Sequence, residues 1–122
     1  FVAAALRGEV LPINGDGTQS RDFTYVGSLA EVVTRAIEQR ITSAEPVNLA
    51  FGSRTNLLEV ITLLEGMIGA PLEREHRPVR VGDVPHSQAD GSSLRALIPD
   101  TEPVPFTEGL RATVDWMRTV VG

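Results

Sequence analysis

The chain contains neither cysteine nor lysine. None of its 122 residues is Cys, and all 11 residues counted as Lys or Arg are arginines. Disulfides, thiol catalysis and cysteine-bound zinc are therefore excluded, as are a lysine Schiff base and the lysine of a phosphate-binding loop. The two histidines, His76 and His86, are too few and too isolated to form a metal site, so we predict none.

Strong positive charge and long hydrophobic runs are also missing. The formal net charge is −5 and no basic run occurs, so a nucleic acid would be repelled overall and we predict no such partner. No apolar stretch approaches the roughly 18 residues of a membrane span, and residues 1–6 lack the basic leader of a secretory signal. We expect a cytoplasmic protein that does not bind a membrane.

The remaining composition is that of one globular domain. Hydrophobic residues make up 42% of the chain and charged residues 22%, which is typical of a packed domain. A chain of 122 residues is short for an enzyme that holds both a dinucleotide and a substrate. Phe1 also begins an apolar stretch that resembles the end of a helix closed by Gly8. We therefore expect residues 1–122 to form a single lobe that is a piece of a longer chain.

Strand and helix patterns alternate along the first half. Residues 10–13 and 23–26 flank a glycine-rich turn, a pattern typical of two strands joined by that turn. Ser28 and Glu31 have the spacing of a capping box, which predicts a helix. The apolar face of this helix comprises Leu29, Val32, Val33, Ala36 and Ile37. Residues 46–51 are predicted to form another short strand.

The second half continues this alternation. A helix is predicted from Asn56 to Gly69, with an N-terminal capping pattern and a C-terminal glycine. Residues 72–81 are highly charged and predict an extended edge segment. Asp90 is predicted to cap a short helix, and Thr107 to open a last one. We predict an α/β fold with short strands and about four helices.

The loop at residues 14–22 contains the groups that commonly hold a phosphate. It combines Asn14, two glycines, several hydroxyl groups and the guanidinium of Arg21. The same residues are typical of a tight turn followed by a solvated arginine. The loop is not a dinucleotide fingerprint, because no third glycine follows at the required offset.

A second candidate loop lies at residues 80–87. Gly82 allows the backbone to approach a ligand, and Asp83 offers a carboxylate to ribose hydroxyls. An ordinary turn with a salt bridge explains the same pattern. Convergence of Arg80 and Arg21 on one diphosphate would suit an acidic protein, because each charge-assisted contact contributes about 1.5–3 kcal/mol.

Taken together, GDGTQSRDFTYV at residues 15–26 and GDVPHSQAD at residues 82–90 resemble the C-terminal half of the extended short-chain dehydrogenases, the NAD-dependent epimerase/dehydratase family. Residues 47–49 and 106–116 extend this resemblance over nearly the whole chain. It implies the nucleotide-sugar-binding lobe of an extended Rossmann-type fold, with a nucleotide sugar as partner. It also implies NAD as cofactor, bound by an N-terminal domain outside this chain.

The resemblance implies roles for the residues of both loops. Arg21 and Arg80 match the arginines that hold the diphosphate, and Asp83 matches a ribose contact. Asn14 stands where the family usually has an aromatic residue against the base, with Pro12 beside it. This difference puts base stacking in doubt.

The order of residues 82–87 is closest to that of the UDP-hexose 4-epimerases. Ser87 matches a position beside the sugar, where a small residue leaves room for a 2-acetamido group. The family's catalytic tyrosine and lysine lie N-terminal to the matched region, and Tyr25 has no lysine four residues later. The resemblance therefore assigns no catalytic or cofactor-binding residue here, and we expect this chain to be inactive by itself.

Three functions remain open from the sequence. The first is the C-terminal part of an NAD-dependent UDP-hexose or UDP-N-acetylhexosamine 4-epimerase. The second is a nucleotide-sugar 4,6-dehydratase or decarboxylase of the same family, and the third is a catalytically silent binding or assembly fragment. The family's dimer helices lie mostly outside the matched region, so a homodimer of the full-length protein also stays open.

Overall fold

Helices and short strands alternate through residues 1–121, which are the residues that the computed structural model describes. In chain order the elements are α1 (Val2–Leu6), β1 (Leu11–Asn14), β2 (Ser20–Arg21), α2 (Val26–Glu38), β3 (Thr55–Asn56), α3 (Leu57–Ile68), β4 (Arg74–Arg77), α4 (Ser92–Leu97) and α5 (Phe106–Val121). The predicted α/β class is confirmed, with five helices in residues 1–121 where about four were expected. None of these helices has the length and apolar content needed to span a bilayer.

The main core lies between β1, α3 and α5. Leu11 and Ile13 of β1 are fully buried, whereas Pro12 and Asn14 are exposed. Successive side chains of a strand point to opposite faces, so the strand covers the core with one face and offers the other to solvent. The helices contribute buried aliphatic side chains, among them Ile61, Leu64 and Val114.

Strand β1 pairs in parallel with β4, in a register that runs from Leu11 opposite Arg74 to Asn14 opposite Arg77. The strand predicted before the glycine turn is confirmed by β1, but the two strands that the turn joins do not pair with each other. Parallel strands need a long crossover connection, and here β2, α2, β3 and α3 supply it. The predicted extended edge segment at residues 72–81 is confirmed by β4, whose four residues are all exposed.

Residues 23–26 form no strand, so the prediction of a strand there is wrong. The strand is Ser20–Arg21, antiparallel to β3, and Val26 already belongs to α2. After Arg21 the two chain segments are joined by a side chain instead of by backbone pairing. The Asp22 carboxylate accepts the backbone N–H groups of Gly52 at 3.1 Å and Ser53 at 3.0 Å.

The predicted capping box of α2 is not formed. The helix begins two residues earlier than Ser28, and its N-cap residue, Tyr25, makes no side-chain capping bond. Ser28 is only 1% exposed, and its hydroxyl accepts the Val104 N–H at 3.0 Å. Glu31 instead bonds Arg35 one turn later, at 2.7 Å. A tertiary contact thus occupies Ser28, and a contact within the helix occupies Glu31, so neither side chain caps the helix.

The apolar face predicted for α2 is buried only in part. Val32 is buried, but Val33 and Ile37 are 47% and 72% exposed. Residues 46–51, predicted as a strand, form no strand. Their side chains Val47 and Phe51 pack against the small cluster around Val32, between α2 and α4. Packing on helices therefore replaces ladder pairing in this segment.

Helix α3 is formed as predicted. Asn56 Oδ1 accepts the Glu59 N–H at 2.9 Å, and a Glu59 carboxylate oxygen accepts the Asn56 N–H at 2.8 Å. The helix ends at Gly69, whose φ of 80° suits a left-handed C-terminal residue. The predicted short helix is α4, where Asp90 accepts the Ser92 N–H at 2.9 Å. The last helix, α5, begins one residue before Thr107.

Candidate functional site

The two candidate loops meet at strand β2. The Ser20 N–H donates to the Pro85 carbonyl at 2.9 Å, and the Ser87 N–H donates to the Ser20 carbonyl at 3.1 Å. Residues 85–87 therefore run beside β2 on one side, while β3 pairs with it on the other. The structure thus joins residues 14–22 with residues 80–87, although they are far apart in the sequence.

The Arg21 side chain connects these loops. One terminal nitrogen of its guanidinium, Nη2, donates to Asp83 Oδ1 in a close ion pair, and Nη1 donates to the Ser20 carbonyl at 2.8 Å. Both side chains of the ion pair are 32% exposed. Two partners on different segments fix the direction of the guanidinium plane, while part of the side chain stays exposed.

Arg80 and Asp83 lie at the two ends of one tight turn. The Asp83 N–H donates to the Arg80 carbonyl at 3.1 Å, and Gly82 has a φ of 85°. This is the geometry of a type II turn, in which glycine is favoured at the third position. Arg80 therefore belongs to the turn that supplies the carboxylate partner of Arg21, and its side chain is exposed.

A groove of about 220 Å³ brings together four of the six predicted substrate-binding residues. Its lining comprises Phe1, Pro12, Asn14, Gln19, Arg21, Phe23, Leu57 and Asp83. A second pocket of about 340 Å³ shares Asn14, Gln19 and Asp83 with this groove. Arg80 and Ser87 are not among the residues that line either one.

The glycine-rich turn at residues 15–18 supplies Gly15, Asp16 and Thr18 to the lining of the second pocket. Asp16 Oδ1 accepts both the Thr18 N–H at 2.9 Å and the Thr18 hydroxyl at 2.7 Å. The Thr18 N–H, followed by its hydroxyl, lowers the pKa of Asp16 below the usual value of 3.8. The Asp16 carboxylate in the lining of the second pocket therefore stays ionised to a lower pH than an ordinary aspartate would.

The sequence did not predict the polar contacts that Ser20 makes with Arg54 and His86. Ser20 Oγ lies 2.9 Å from His86 Nδ1, and Arg54 Nε donates to the same Oγ at 3.2 Å. These partners are separated by 66 and 34 positions in the sequence. A local pattern cannot signal such contacts, because nothing near Ser20 in the sequence indicates which distant residue will lie beside it.

Asp22 makes further contacts in this region that the sequence did not predict. Its carboxylate holds residues 52–53, and it also accepts the Ser53 hydroxyl at 2.7 Å. These bonds place the chain just before Arg54 against the end of β2. Its position directly after the candidate arginine was the one available signal.

The residues present do not fit a dinucleotide. A Rossmann phosphate site needs a glycine-rich turn that leads from a strand into a helix N-terminus. Here Gly15 and Gly17 follow β1 but lead into β2, and the next helix begins only at Val26. Within residues 1–121, no group of three or more His, Asp or Glu side chains is arranged to hold a metal ion.

Residues 1–50 match a known family, described as the NAD dependent epimerase/dehydratase family. The chain is also 31% identical over 118 residues to the UDP-glucose 4-epimerase of Mycolicibacterium smegmatis, an alignment that covers 97% of this chain and 37% of that protein. Other relatives are UDP-sugar epimerases and decarboxylases.

Solved structures show the same fold. A UDP-glucuronic acid 4-epimerase from Bacillus cereus, crystallised with UDP-glucuronic acid and NAD, matches with a TM-score of 0.88 and 27% identity, over 98% of this chain and 38% of that one. A UDP-glucose 4-epimerase from Thermotoga maritima, crystallised with UDP-glucose, matches with a TM-score of 0.88 and 31% identity, over 99% and 38%.

These matches establish the fold class, which is that of the extended short-chain dehydrogenases. Within that class, they confirm the predicted resemblance to the NAD-dependent epimerase/dehydratase family. NAD is confirmed as the cofactor of this family, since neighbouring structures contain it. The chain spans less than two fifths of the length of the relatives it matches here.

Proposed function

We propose that residues 1–122 form the sugar-nucleotide-binding lobe of a longer NAD-dependent UDP-sugar 4-epimerase. The observation that carries this proposal is the Arg21–Asp83 ion pair, which joins the two candidate loops at the edge of an open groove. The names of the relatives support it, because several are UDP-sugar 4-epimerases. The short coverage of those relatives supports a lobe of a longer protein.

Each end of the groove offers different chemistry. Arg21 is already oriented by Asp83, so the exposed part of its side chain can bind the diphosphate with little further loss of side-chain freedom. Arg80 would add a second positive charge from the neighbouring turn. The second carboxylate oxygen of Asp83 would accept a ribose hydroxyl. Pro12 and Asn14 lie on the exposed face of β1, where the base would be held by amide hydrogen bonds instead of by stacking.

In this proposal the chain binds and orients the substrate, and the catalytic groups lie outside it. NAD, which supplies hydride-transfer chemistry when bound, would be held by residues outside this chain. Ser87 would lie beside the sugar, where its small side chain leaves room for a 2-acetamido group. UDP-N-acetylhexosamines are therefore proposed as substrates besides UDP-hexoses.

A decarboxylase of the same family is the second candidate. The observation in its favour is a relative named UDP-N-acetyl-alpha-D-glucosaminuronate decarboxylase, which is 26% identical over 127 residues. A decarboxylase would need the same diphosphate contacts, so the Arg21 groove does not separate the two reactions.

The products made by the complete gene product decide between these functions. UDP-glucose, UDP-N-acetylglucosamine and UDP-glucuronate would each be incubated with it and NAD, and the products resolved by chromatography and NMR. We expect inversion at C4 without loss of water or carbon dioxide. Release of carbon dioxide from UDP-glucuronate would favour the decarboxylase, and a failure to bind UDP would contradict both functions.

A further inference from the structure

Ser20, Arg54 and His86 form a small polar cluster, here called the Ser20 cluster, that joins three chain segments. Ser20 lies on β2 and is only 4% exposed, Arg54 immediately precedes β3, and His86 lies in the loop at residues 80–87. Ser20 Oγ is 2.9 Å from His86 Nδ1 and 3.2 Å from Arg54 Nε. The hydroxyl is thus the shared partner of two side chains from distant parts of the chain.

The hydrogen-bonding capacity of each group assigns the direction of these bonds. An arginine N–H can only donate, so Ser20 Oγ accepts from Arg54. The hydroxyl still has one hydrogen to donate, and His86 Nδ1 is an acceptor when the neutral ring carries its proton on Nε2. This arrangement uses both the acceptor and the donor capacity of the Ser20 hydroxyl, which its burial requires.

The backbone around the cluster holds the same loop. The Ser20 N–H and carbonyl bond Pro85 and Ser87, on either side of His86. Two main-chain bonds and one side-chain bond therefore fix residues 85–87 against β2. The Arg21–Asp83 ion pair lies one position after Ser20 on the strand and three positions before His86 on the loop.

Ser20 and His86 do not have the arrangement of a catalytic serine activated by a histidine base. A nucleophilic hydroxyl must face the substrate, whereas Ser20 is buried and is occupied by Arg54. Neither Ser20 nor His86 lines the groove or the adjoining pocket. The geometry therefore favours a positioning role over a catalytic one.

We propose that the Ser20 cluster locks the loop at residues 80–87 in register with β2, so that Asp83 holds the Arg21 guanidinium ready for the diphosphate. Ser20 and His86 are positioning residues in this proposal, and they act through Asp83 and Arg21. The inference rests on the proposed function, because it assumes that the groove binds a nucleoside diphosphate.

The test measures UDP affinity by calorimetry in the complete gene product. Ser20→Ala and His86→Ala should each weaken UDP binding about tenfold, because the loop and its carboxylate lose their fixed position. The double variant should be no weaker than the worse single variant by more than about twofold, since both changes break the same Ser20–His86 bond. His86→Asn should restore most of the affinity, because its amide oxygen can accept the Ser20 hydroxyl.

Two further variants separate positioning from a general loss of stability. Ser28→Ala is the matched control, because Ser28 is also a buried serine whose hydroxyl makes a long-range bond, to Val104. It should lower the free energy of unfolding and leave UDP affinity unchanged. In the Arg21→Ala background, His86→Ala should weaken UDP binding clearly less than it does in the unaltered protein, since the Arg21 guanidinium is no longer there to orient.

The outcomes distinguish this proposal from the function on which it rests. If the unaltered protein does not bind UDP, the proposed function fails. If Arg21→Ala weakens UDP binding but His86→Ala does not, the function stands and the positioning role is overturned. An equal effect of His86→Ala with and without Arg21 also overturns it. Because His86 is exposed, its variants remain informative even if Ser20→Ala does not fold.

Discussion

The glycine-rich turn at residues 15–18 and the turn at residues 80–83 both contain glycine next to aspartate, but they have different roles. Each contains a glycine with a φ of 85°, Gly17 in the first and Gly82 in the second. Asp16 uses its carboxylate within its own turn, on Thr18, whereas Asp83 reaches Arg21, 62 positions away. The same residue types thus make one turn self-contained and make the other a connection between two segments.

This difference shows where a binding site can be assembled. A turn whose polar groups bond one another is well ordered, but few of those groups are left to bind a ligand. A turn whose carboxylate orients a distant guanidinium brings a positive charge to a position that neither segment could define alone. Substitutions in the two turns and at the residues they hold should therefore have effects of different kinds and sizes.

Glycine is required more strongly at position 17 than at position 82. A Cβ added at Gly17 would lie 2.6 Å from Leu58 Cδ2, whereas one added at Gly82 meets no atom within 4 Å. Gly17→Ala should therefore lower the free energy of unfolding by about 2–4 kcal/mol, from backbone strain and overpacking. Gly82→Ala should cost only the strain, about 1–2 kcal/mol. Urea unfolding measures both, and equal losses would contradict the difference in packing.

The connecting arginine should dominate nucleotide binding. Arg21→Ala should weaken UDP binding by about 1.5–3 kcal/mol, because a charge-assisted contact is lost, and Arg80→Ala should act in the same range. NAD affinity should not change, since the residues described here do not fit a dinucleotide. Calorimetry on the complete gene product measures both ligands. Arg118→Ala, on an exposed pair within α5, is the control, and unaltered UDP affinity in both the Arg21 and the Arg80 variant would refute the assignment.

A larger side chain at position 87 should change substrate preference. Ser87→Tyr would fill the space proposed for a 2-acetamido group, so activity on UDP-N-acetylglucosamine should fall relative to UDP-glucose by about 1–2 kcal/mol in kcat/KM. Ser87→Ala keeps that space and should leave the ratio unchanged. Steady-state kinetics with both substrates measures this ratio, and an equal loss on the two sugars would show that residue 87 does not face that group.

The self-contained turn should contribute a small pH dependence. The Thr18 N–H holds the pKa of Asp16 below its usual value of 3.8, and the Ser92 N–H does the same for the pKa of Asp90. A carboxyl group whose pKa is lowered by folding stabilises the folded state at pH values above the pKa that it has in the unfolded chain. This contribution is lost as the pH falls through its pKa in the folded state. Stability should therefore decrease below about pH 4.

Substitution of these carboxyl groups should reduce that acid sensitivity. In Asp16→Asn and Asp90→Asn the free energy of unfolding should fall less steeply than in the unaltered protein between about pH 4 and about pH 2. Urea unfolding over this range provides the measurement. An unchanged slope in both variants would contradict the role of these two carboxyl groups.

Local patterns predicted the elements whose stabilising contacts lie close in sequence. Helix α3 begins and ends as expected, because the Asn56–Glu59 box and Gly69 satisfy its termini from within a few residues. The same reasoning failed for Ser28, where a bond to Val104 replaced the expected cap. It failed again at residues 46–51, whose apolar side chains pack on helices instead of pairing as a strand.

The candidate site shows the same limit. Sequence reasoning named Pro12, Asn14, Arg21 and Asp83, and the groove collects all four, because each stands in a segment with a recognisable pattern. It did not predict that Ser20 bonds both His86 and Arg54.

The sequence by itself determined the alternation of helices and strands, the turns that need glycine and the absence of lysine and cysteine chemistry, since these depend on residue type and near neighbours. Only the tertiary structure decided that Arg21 bonds Asp83, that β1 pairs with β4 and that Ser20 links Arg54 with His86. The reason is physical: a polar side chain carries no record of its distant partner, and packing of the core chooses which segments meet.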